Sequence, residues 1–363
     1  MFVDIGIYGL SSSGKSVLFD LLTGLPESGD RGKTRIGSVT VPDPRLDQLV
    51  NWYHSRKVTP IHLELHDPGL GHSEKSEDSL SDARLNLIRS FDIIALVVRC
   101  YESESVVHPE GTVNPSRDLD LLLTQLILAD LEMIERRLVR IEESFRKLPK
   151  DDREAYEHEK QALQRIKQTL ESESPWETTT LSDFEKKKVS HYSLFHMKRY
   201  VVVGNLGDCS ASQDAAHWAA LRESCQSHRI PCVGVNLKLE LEMKDMDPSE
   251  AQEFRESMNL ESESCRQLVK GLYDQLGMTT FYTAGEKESA ARCVVQGTLA
   301  PQAAGTIHSD LERGFIRAEV FSFDDLVKAE GSEPKVKQLG CLRIEGKDYV
   351  VQDGDIVLIR FSA

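Results

Sequence analysis

The sequence predicts an α/β protein with a mainly parallel sheet, an inserted antiparallel α-helical hairpin and a small C-terminal domain. Three observations support this prediction. Short apolar runs alternate with helical patterns through residues 1–118 and again after residue 196. Between these two parts, apolar residues recur at heptad spacing. After residue 279 the chain changes to short strand-like runs separated by turns. Alternating strands and helices are typical of a parallel sheet with helices on both faces.

The sheet is predicted to begin with the β-rich run at residues 2–8, which a helical pattern at residues 16–22 follows. The later strands are predicted at residues 61–66, 93–99, 200–204 and 230–235, with a helix at residues 211–226. Because the heptad segment interrupts this alternation, residues 1–118 and 196–278 are predicted to form one domain, and residues 119–195 an insertion in it.

The insertion is predicted to be a helical hairpin. Leu131, Ile134, Leu138, Ile141 and Phe145 follow the spacing of a heptad seam, with charged residues between them. Residues 149–152 break the pattern, which then resumes up to residue 170. Two such helices around a short break indicate antiparallel packing. Their charged outer faces are either a solvated stalk or a docking surface.

Residues 279–363 are predicted to form a β-grasp-like domain, in which one helix packs on a small mixed sheet. The helix is predicted at residues 303–311. The strands are predicted at residues 281–283, 292–296, 316–321, 341–344 and 356–361.

The composition limits the classes of function. The chain has 363 residues, enough for two or three domains. Its 44 basic and 59 acidic side chains give a net charge of −15, so no DNA partner is expected and an RNA contact needs a local patch. No apolar run reaches the ~18–20 residues of a membrane span, and the N-terminus lacks a secretory pattern. Seven scattered cysteines fit a reduced, cytoplasmic protein.

The strongest motif is GLSSSGKS at residues 9–16, which follows a predicted strand and precedes a predicted helix. It matches the GxxxxGK[ST] pattern of a P-loop, whose backbone N–H groups and helix N-terminus bind phosphate. Lys15 would reach the β- and γ-phosphates, and the Ser16 hydroxyl would bind Mg²⁺. The residues predicted to contact a nucleotide here are Gly9, Ser12, Ser13, Gly14, Lys15, Ser16 and Val17. The alternative is a chance match in a serine-rich turn.

A P-loop site also needs an acidic group near Mg²⁺ at the end of a neighbouring strand. Asp67 follows the strand-like run IHLELH and is the candidate. Gly69, two residues later, is the candidate backbone donor to a γ-phosphate. The alternative is that Asp-Pro-Gly simply closes the strand as a turn.

Base recognition is expected after a later strand of such a sheet. The run YVVVG is followed by Asn205, Leu206 and Asp208, which resemble the N-K-x-D pattern that recognises guanine. Leu206 stands in place of the lysine of that pattern. Asn205 and Asp208 are therefore either base contacts or a turn after the strand.

Together these residues resemble the YchF/Obg-like ATPase family, a branch of the P-loop GTPases related to translation factors. The resemblance covers nearly the whole chain. Further matching segments are VPDPRLD at residues 41–47, VNP at 113–115, FYTAG at 281–285, APQAAG at 300–305, GFIRAE at 314–319 and GKDY at 346–349. The resemblance implies a P-loop G-domain, a TGS-type β-grasp C-terminal domain, nucleotide hydrolysis that often prefers ATP to GTP, and association with ribosomes.

The departures from the family cluster in the expected active site. Ser11, Ser12 and Ser13 replace Pro, Asn and Val, and the lost Asn is the residue type that holds a potassium ion in related loops. Thr34 is the nearby candidate for the Mg²⁺-binding switch threonine, or else a loop residue. The family's D-x-x-G is shortened to residues 67–69, and its glycine-rich switch II becomes residues 71–82, rich in Ser and Glu.

Leu70 follows Gly69 where classical GTPases have a water-orienting Gln, a replacement that the family shares. The resemblance implies instead a catalytic histidine in a loop, and His108 lies at that position. Asn205–Asp208 corresponds to the family's N-x-x-E, with Asp for Glu, which suits adenine without excluding guanine.

Three functions stay open from the sequence. The first is a slow Mg²⁺-dependent ATPase or GTPase that acts as a ribosome-associated switch. The second is a hydrolysis-poor nucleotide-binding paralogue with a regulatory role, and the third is a scaffold that needs no nucleotide. A ribosome or ribosomal RNA contact is expected through the C-terminal domain. The basic residues available there are Lys328, Lys335, Lys337, Arg343, Lys347 and Arg360, with Glu319, Asp324, Asp325 and Glu330 to balance them.

Overall fold

A computed structural model describes residues 3–25, 34–69, 82–145, 150–172, 181–207, 212–244, 246–257 and 264–362. The chain forms two compact units. Unit 1 comprises residues 1–38 and 64–271, and unit 2 comprises residues 39–63 and 272–363. A segment before residue 64 therefore groups with the C-terminal part of the chain. The domain boundaries drawn from the sequence at residues 118, 195 and 278 stay a prediction.

Unit 1 is built on a six-stranded sheet of order β2-β4-β1-β5-β6-β7. Its strands are β1 (Asp4–Tyr8), β2 (Arg35–Thr40), β4 (His62–Asp67), β5 (Ile93–Arg99), β6 (Arg199–Asn205) and β7 (Cys232–Val235). From β4 to β7 every neighbouring pair is parallel. All seven residues of β5 are buried, as expected for the middle of a sheet with both faces covered.

The helices of unit 1 connect these strands. They are α1 (Lys15–Thr23), α3 (Asp82–Ser90), α4 (Pro115–Phe145), α5 (Lys150–Leu170), α6 (Asp183–Val189), α7 (Ser212–Ser227), α8 (Leu237–Met243) and α9 (Pro248–Ser257). The buried core on one side of the sheet joins Leu96 and Val202 to Leu122 and Leu221 of the flanking helices α4 and α7. Among the described residues, no helix combines the length and the apolar character needed to cross a membrane.

The helices α4 and α5 pack on each other as an antiparallel pair. Glu135 pairs with Lys167 and Glu142 pairs with Lys160, so residue numbers rise along one helix as they fall along the other. Arg137 and Glu159 form a further ion pair between the two helices. Their shared core includes Ile134, Ile141, Leu163 and Ile166, each almost fully buried. The hairpin predicted from the heptad spacing is therefore present.

Unit 2 has a mixed six-stranded sheet of order β11-β10-β12-β8-β9-β3. Its strands are β3 (Val58–Thr59), β8 (Met278–Thr283), β9 (Ser289–Val295), β10 (Phe315–Ser322), β11 (Arg343–Glu345) and β12 (Asp355–Phe361). Its short helices are α2 (Pro44–Tyr53), α11 (Ala300–Gly305), α12 (Ser309–Arg313), α13 (Phe323–Lys328) and α14 (Glu333–Gln338), and α10 (Ser264–Gln275) runs into it from unit 1.

Three features of unit 2 differ from the prediction. One helix was predicted after residue 279, but the structure also has α13 and α14. The helix predicted at residues 303–311 is two helices, because His308 is extended and its side chain accepts a hydrogen bond from the N–H of Asp310, which starts a new helix. The edge strand β3 comes from far earlier in the chain and pairs in parallel with β9, Val58 beside Ser289. Such a long-range pairing leaves no local signal in the sequence.

Candidate nucleotide-binding site

The residues predicted to bind a nucleotide lie at one edge of the unit 1 sheet. The parallel strands β1, β4 and β6 end at Tyr8, Asp67 and Asn205. Because parallel strands place their carboxyl ends at the same edge, the P-loop after β1 faces the ends of its neighbours. The predicted strand, loop and helix around residues 9–16 are all present.

Glycine is required at both ends of the P-loop. A Cβ atom on Gly9 would lie 2.4 Å from the carbonyl oxygen of Val97. Gly14 has a φ of 105°, and a Cβ atom there would lie 2.5 Å from Nδ2 of Asn205. Ser12 adopts a φ of 60°, which is uncommon for a residue other than glycine. The loop therefore turns tightly into α1, as an anion-binding loop must.

Lys15 opens α1 and its side chain is nearly buried, at 9% exposure. Its Nζ atom donates a hydrogen bond to the carbonyl oxygen of Leu10, 2.6 Å away. Burial lowers the pKa of Lys15 from 10.5 to about 8, and the nearby Asp67 carboxylate opposes this shift. The ammonium group thus lies at the loop, where the nearby Asp67 carboxylate offsets only part of the cost of burying its charge.

Asp67 and Ser16 lie together, as the sequence predicted for a metal site. The Ser16 hydroxyl donates to Oδ2 of Asp67 at 3.3 Å, and the Asp67 side chain is 3% exposed. A hydroxyl and a carboxylate at this spacing fit Mg²⁺, which prefers oxygen ligands. The same Oδ2 atom also accepts a hydrogen bond from the guanidinium of Arg35, at 2.7 Å. Thr34, the third predicted ligand, lies exposed immediately before β2.

Gly69 follows with a φ of 58°, and its N–H donates to Oδ1 of Asp67 at 3.2 Å. The N–H predicted to bind a γ-phosphate therefore donates to the Asp67 carboxylate in this structure. Leu70 and the predicted switch II residues up to 81 lie outside the described residues.

Asn205 connects the end of β6 to the P-loop. Its buried side-chain Nδ2 donates to the carbonyl oxygen of Ser13 at 3.0 Å. Leu206 is half-buried, and its N–H donates to the carbonyl of Val235. Asp208 lies outside the described residues. Asn205 therefore shapes the phosphate loop, a contact that the sequence comparison with N-K-x-D did not suggest.

His108 is buried below the P-loop. It lines the same narrow crevice as Leu10 and Ser11. Its Nδ1 accepts a hydrogen bond from the N–H of Glu110 at 3.2 Å. Its Nε2 lies 3.0 Å from a carboxylate oxygen of Asp118 in α4. Nδ1 is therefore hydrogen-bonded, whereas Nε2 lies close to a buried carboxylate oxygen that has no hydrogen-bond partner among the described residues.

Sequence analysis missed Arg35, Asp20 and Asp118. None belongs to a recognisable motif, and their contacts, Arg35 with Asp20 and Asp67 and Asp118 with His108, follow no sequence pattern. Five of the six basic residues considered above for the C-terminal part form ion pairs, three of them with acidic residues expected to balance them. The pairs are Lys328–Asp325, Lys335–Glu330, Lys337–Glu333, Arg343–Asp355 and Arg360–Glu319.

The sheet order, the glycine-bounded loop and the buried lysine define the class: the chain is an α/β P-loop protein. It is 33% identical over 373 residues to the ribosome-binding ATPase YchF of Bacillus subtilis, with all of both chains covered. It is also 33% identical over 363 residues to the protein of that name in Escherichia coli O157:H7, with 98% of each covered. The chain belongs to the YchF family.

Two further comparisons agree with this assignment. The family model YchF-GTPase_C, described as "Protein of unknown function (DUF933)", matches residues 278–362. The structure of the Schizosaccharomyces pombe YchF GTPase superposes with a TM-score of 0.81 at 24% identity, covering 99% of this chain and 97% of that one. At that identity, the structural likeness shows the fold.

Proposed function

We propose that this chain binds a purine nucleoside triphosphate with Mg²⁺ at the P-loop, hydrolyses it slowly and acts as a ribosome-associated switch in the cytoplasm. The observation that carries the proposal is the nearly buried Lys15 at the start of α1, beside the Ser16–Asp67 pair. The relatives at 33% identity are named ribosome-binding ATPases. These names support the proposed nucleotide binding and the proposed association with ribosomes.

Each residue has a distinct task in this proposal. Lys15 leaves the carbonyl of Leu10 and binds the β- and γ-phosphates, while the loop N–H groups from Gly9 to Val17 surround them. Ser16, Asp67 and Thr34 hold Mg²⁺, which neutralises phosphate charge when bound. Asn205 keeps the carbonyl of Ser13 turned away from the phosphates, since it already donates to that oxygen.

Replacement of the P-loop lysine tests nucleotide binding. Lys15→Ala should abolish binding measured by calorimetry, because a desolvated charge on phosphate has no substitute in solvent. Lys198→Ala is a matched control: Lys198 also has a pKa lowered by burial and donates to a carbonyl, that of Phe91, at 2.6 Å. Unchanged affinity in Lys15→Ala would remove the P-loop from the proposal.

The base is proposed to be adenine at least as readily as guanine. Leu206 replaces the lysine of the guanine motif, while Asp208 is an acid of the kind that pairs with guanine. We expect ATP to compete at least as well as GTP in titrations. A clear GTP preference that disappears in Asp208→Ala would contradict this.

Hydrolysis is proposed to be slow and to depend on His108. In the structure this ring accepts a hydrogen bond from the N–H of Glu110, and its Nε2 lies 3.0 Å from an oxygen of Asp118, so it must leave this position to reach a water molecule at the phosphates. His108→Ala should lower turnover with little effect on nucleotide affinity. If turnover is unchanged, His108 has a structural role only.

The same contacts favour a second candidate function, a hydrolysis-poor regulatory paralogue. If His108 stays beside Asp118, the chain can bind nucleotide but does not hydrolyse it. Single-turnover assays with and without ribosomes distinguish the two functions, since a paralogue of this kind binds nucleotide and releases no phosphate in either case.

The ribosome contact is proposed to use unit 2, with residues 279–363 as a TGS-like β-grasp domain. Its mixed sheet, with short helices packed on it, is compatible with that architecture. Lys335→Glu with Lys337→Glu should weaken co-sedimentation with ribosomes and reduce its salt dependence, because phosphate contacts release counterions. Lys186→Glu with Lys187→Glu in α6 makes the same charge change on exposed lysines of unit 1. An equal loss of co-sedimentation in the unit 1 variant and the unit 2 variant would contradict a specific role of unit 2.

A further inference from the structure

Arg35 links two acidic side chains at the candidate metal site. Its Nη1 lies 2.6 Å from Oδ1 of Asp20 in α1, and its Nη2 lies 2.7 Å from Oδ2 of Asp67 at the end of β4. The guanidinium lies 4.5 Å over the ring of Phe19 and its side chain is 14% exposed. Packing and two hydrogen bonds thus fix its position.

The position of the Arg35 guanidinium matters because it contacts an oxygen that is predicted to bind Mg²⁺. Oδ2 of Asp67 is the same atom that accepts the hydrogen bond from the Ser16 hydroxyl. Burial opposes the charge of Arg35, but the hydrogen bonds that Arg35 donates to Asp67 and Asp20 outweigh it and raise the pKa of the guanidinium. The group is therefore a permanent cation beside the predicted Mg²⁺ ligands.

We propose that Arg35 is a built-in counter-cation for this site: it holds Asp67 when no metal is bound and must release it when Mg²⁺ and nucleotide bind. Two cations repel each other at this range and compete for one carboxylate oxygen. Asp20 provides the anchor that keeps Arg35 close after release. This inference rests on the proposed nucleotide function and concerns how much Mg²⁺ contributes to it.

The consequence is measurable without turnover. Mg²⁺ should tighten nucleotide binding less in this chain than in a variant that lacks the Arg35 charge, because part of the metal's binding energy is used to displace the guanidinium. The quantity to compare is the ratio of the dissociation constant in EDTA to that in Mg²⁺.

The experiment measures that ratio by equilibrium titration of a fluorescent ATP analogue against the full-length chain. Arg35→Ala should increase the ratio by roughly threefold or more, the size expected for one partly exposed charge pair. Arg35→Gln, which keeps hydrogen-bonding capacity without charge, should increase it likewise and carries the comparison if Arg35→Ala does not fold. Arg35→Lys, which keeps the charge, should stay close to the parent ratio.

Arg45→Ala is the matched control. Arg45 in unit 2 also lies between two aspartates, 2.7 Å from Asp353 and 3.5 Å from Asp43, and over an aromatic ring, that of Tyr282. Its removal should leave the ratio unchanged. If the ratio is unchanged or smaller in both Arg35→Ala and Arg35→Gln, the proposed role of Arg35 is wrong, while the proposed nucleotide binding still stands. Failure of the parent chain to bind the analogue with or without Mg²⁺ overturns the proposed function as well.

Discussion

Lys15 is nearly buried, and its ammonium group donates to a backbone carbonyl. Because burial lowers its pKa to about 8, the folded chain binds fewer protons than the unfolded chain between pH 8 and the ordinary value of 10.5. In that range the uncompensated charge no longer opposes folding, so this residue's contribution to stability improves as pH rises. A phosphate bound next to Lys15 favours the charged ammonium form and therefore raises the pKa of Lys15 again.

We therefore expect nucleotide binding to take up protons above pH 8. Calorimetry in buffers of different ionisation enthalpy should show uptake rising from near zero at about pH 7 towards one proton per nucleotide at higher pH, with affinity falling in parallel. Lys15→Arg, which stays charged, removes this dependence if it binds. The absence of proton uptake at any pH would mean that Lys15 is fully charged in the free chain.

The backbone at Gly14 gives a second prediction at this scale. Gly14→Ala must place a Cβ atom 2.5 Å from Asn205 at a φ of 105°, so the hydrogen bond from Asn205 to Ser13 should break. Gly24→Ala at the end of α1 has a φ of 69° with nothing within 4 Å of the new atom. Both substitutions cost ~1–2 kcal/mol of backbone strain. Gly14→Ala should in addition lose nucleotide affinity, and equal affinities in the two variants would contradict a role of the contact with Asn205.

The hairpin is the element whose stability is easiest to test separately. Ile141 of α4 is fully buried in the hairpin core, whereas Val139 on the same helix is 56% exposed. Ile141→Ala should lower the free energy of unfolding by ~2–5 kcal/mol. Val139→Ala should change it by less than about 0.5 kcal/mol. Urea denaturation followed by circular dichroism measures both.

Nucleotide affinity should be the same in both hairpin variants, because the P-loop core is a separate cluster of side chains. A loss of affinity in Ile141→Ala at temperatures where the chain is folded would show that the hairpin is coupled to the site. Such coupling would favour the docking interpretation of its charged faces over that of a solvated stalk.

At the scale of the whole molecule, unit 2 is assembled from two segments far apart in sequence. The Tyr282 hydroxyl of β8 donates to Oδ2 of Asp43, which also caps α2 by accepting from the N–H of Arg45. Burial and the neighbouring Asp43 carboxylate raise the pKa of Tyr282, so the hydroxyl stays protonated and donates. Residues 39–63 are therefore expected to unfold together with residues 272–363.

Tyr282→Phe tests this assembly. It should cost ~1–2 kcal/mol and should speed amide hydrogen exchange in α2 as well as in β8. Tyr349→Phe is the control, since it also removes a hydroxyl bonded to a carboxylate, that of Asp355 only six residues away. It should leave exchange in α2 unchanged. Faster exchange confined to β8 in Tyr282→Phe would contradict joint unfolding of the two segments.

The sequence by itself determined the elements that depend on near neighbours. The apolar run of β5 was predicted at residues 93–99 and is observed there, and heptad spacing predicted the paired helices α4 and α5. The P-loop was predicted from its glycines and from the strand and helix on either side. In each case the local pattern is enough: a continuous apolar run predicts a strand that is buried on both faces, heptad spacing places apolar side chains on one face of a helix, and glycines permit the tight turn of the P-loop.

The tertiary structure decided what depends on strand order. The sequence separates Arg35 from Asp67 and Val58 from Ser289, and no local pattern connects them. Charge pairs and strand pairs of this kind form only after the sheet brings distant strand ends to one edge, since electrostatic and hydrogen-bonding contacts act over a few ångströms. For that reason the candidate metal ligands could be named from the sequence, but the cation that already contacts one of them, Asp67, could not.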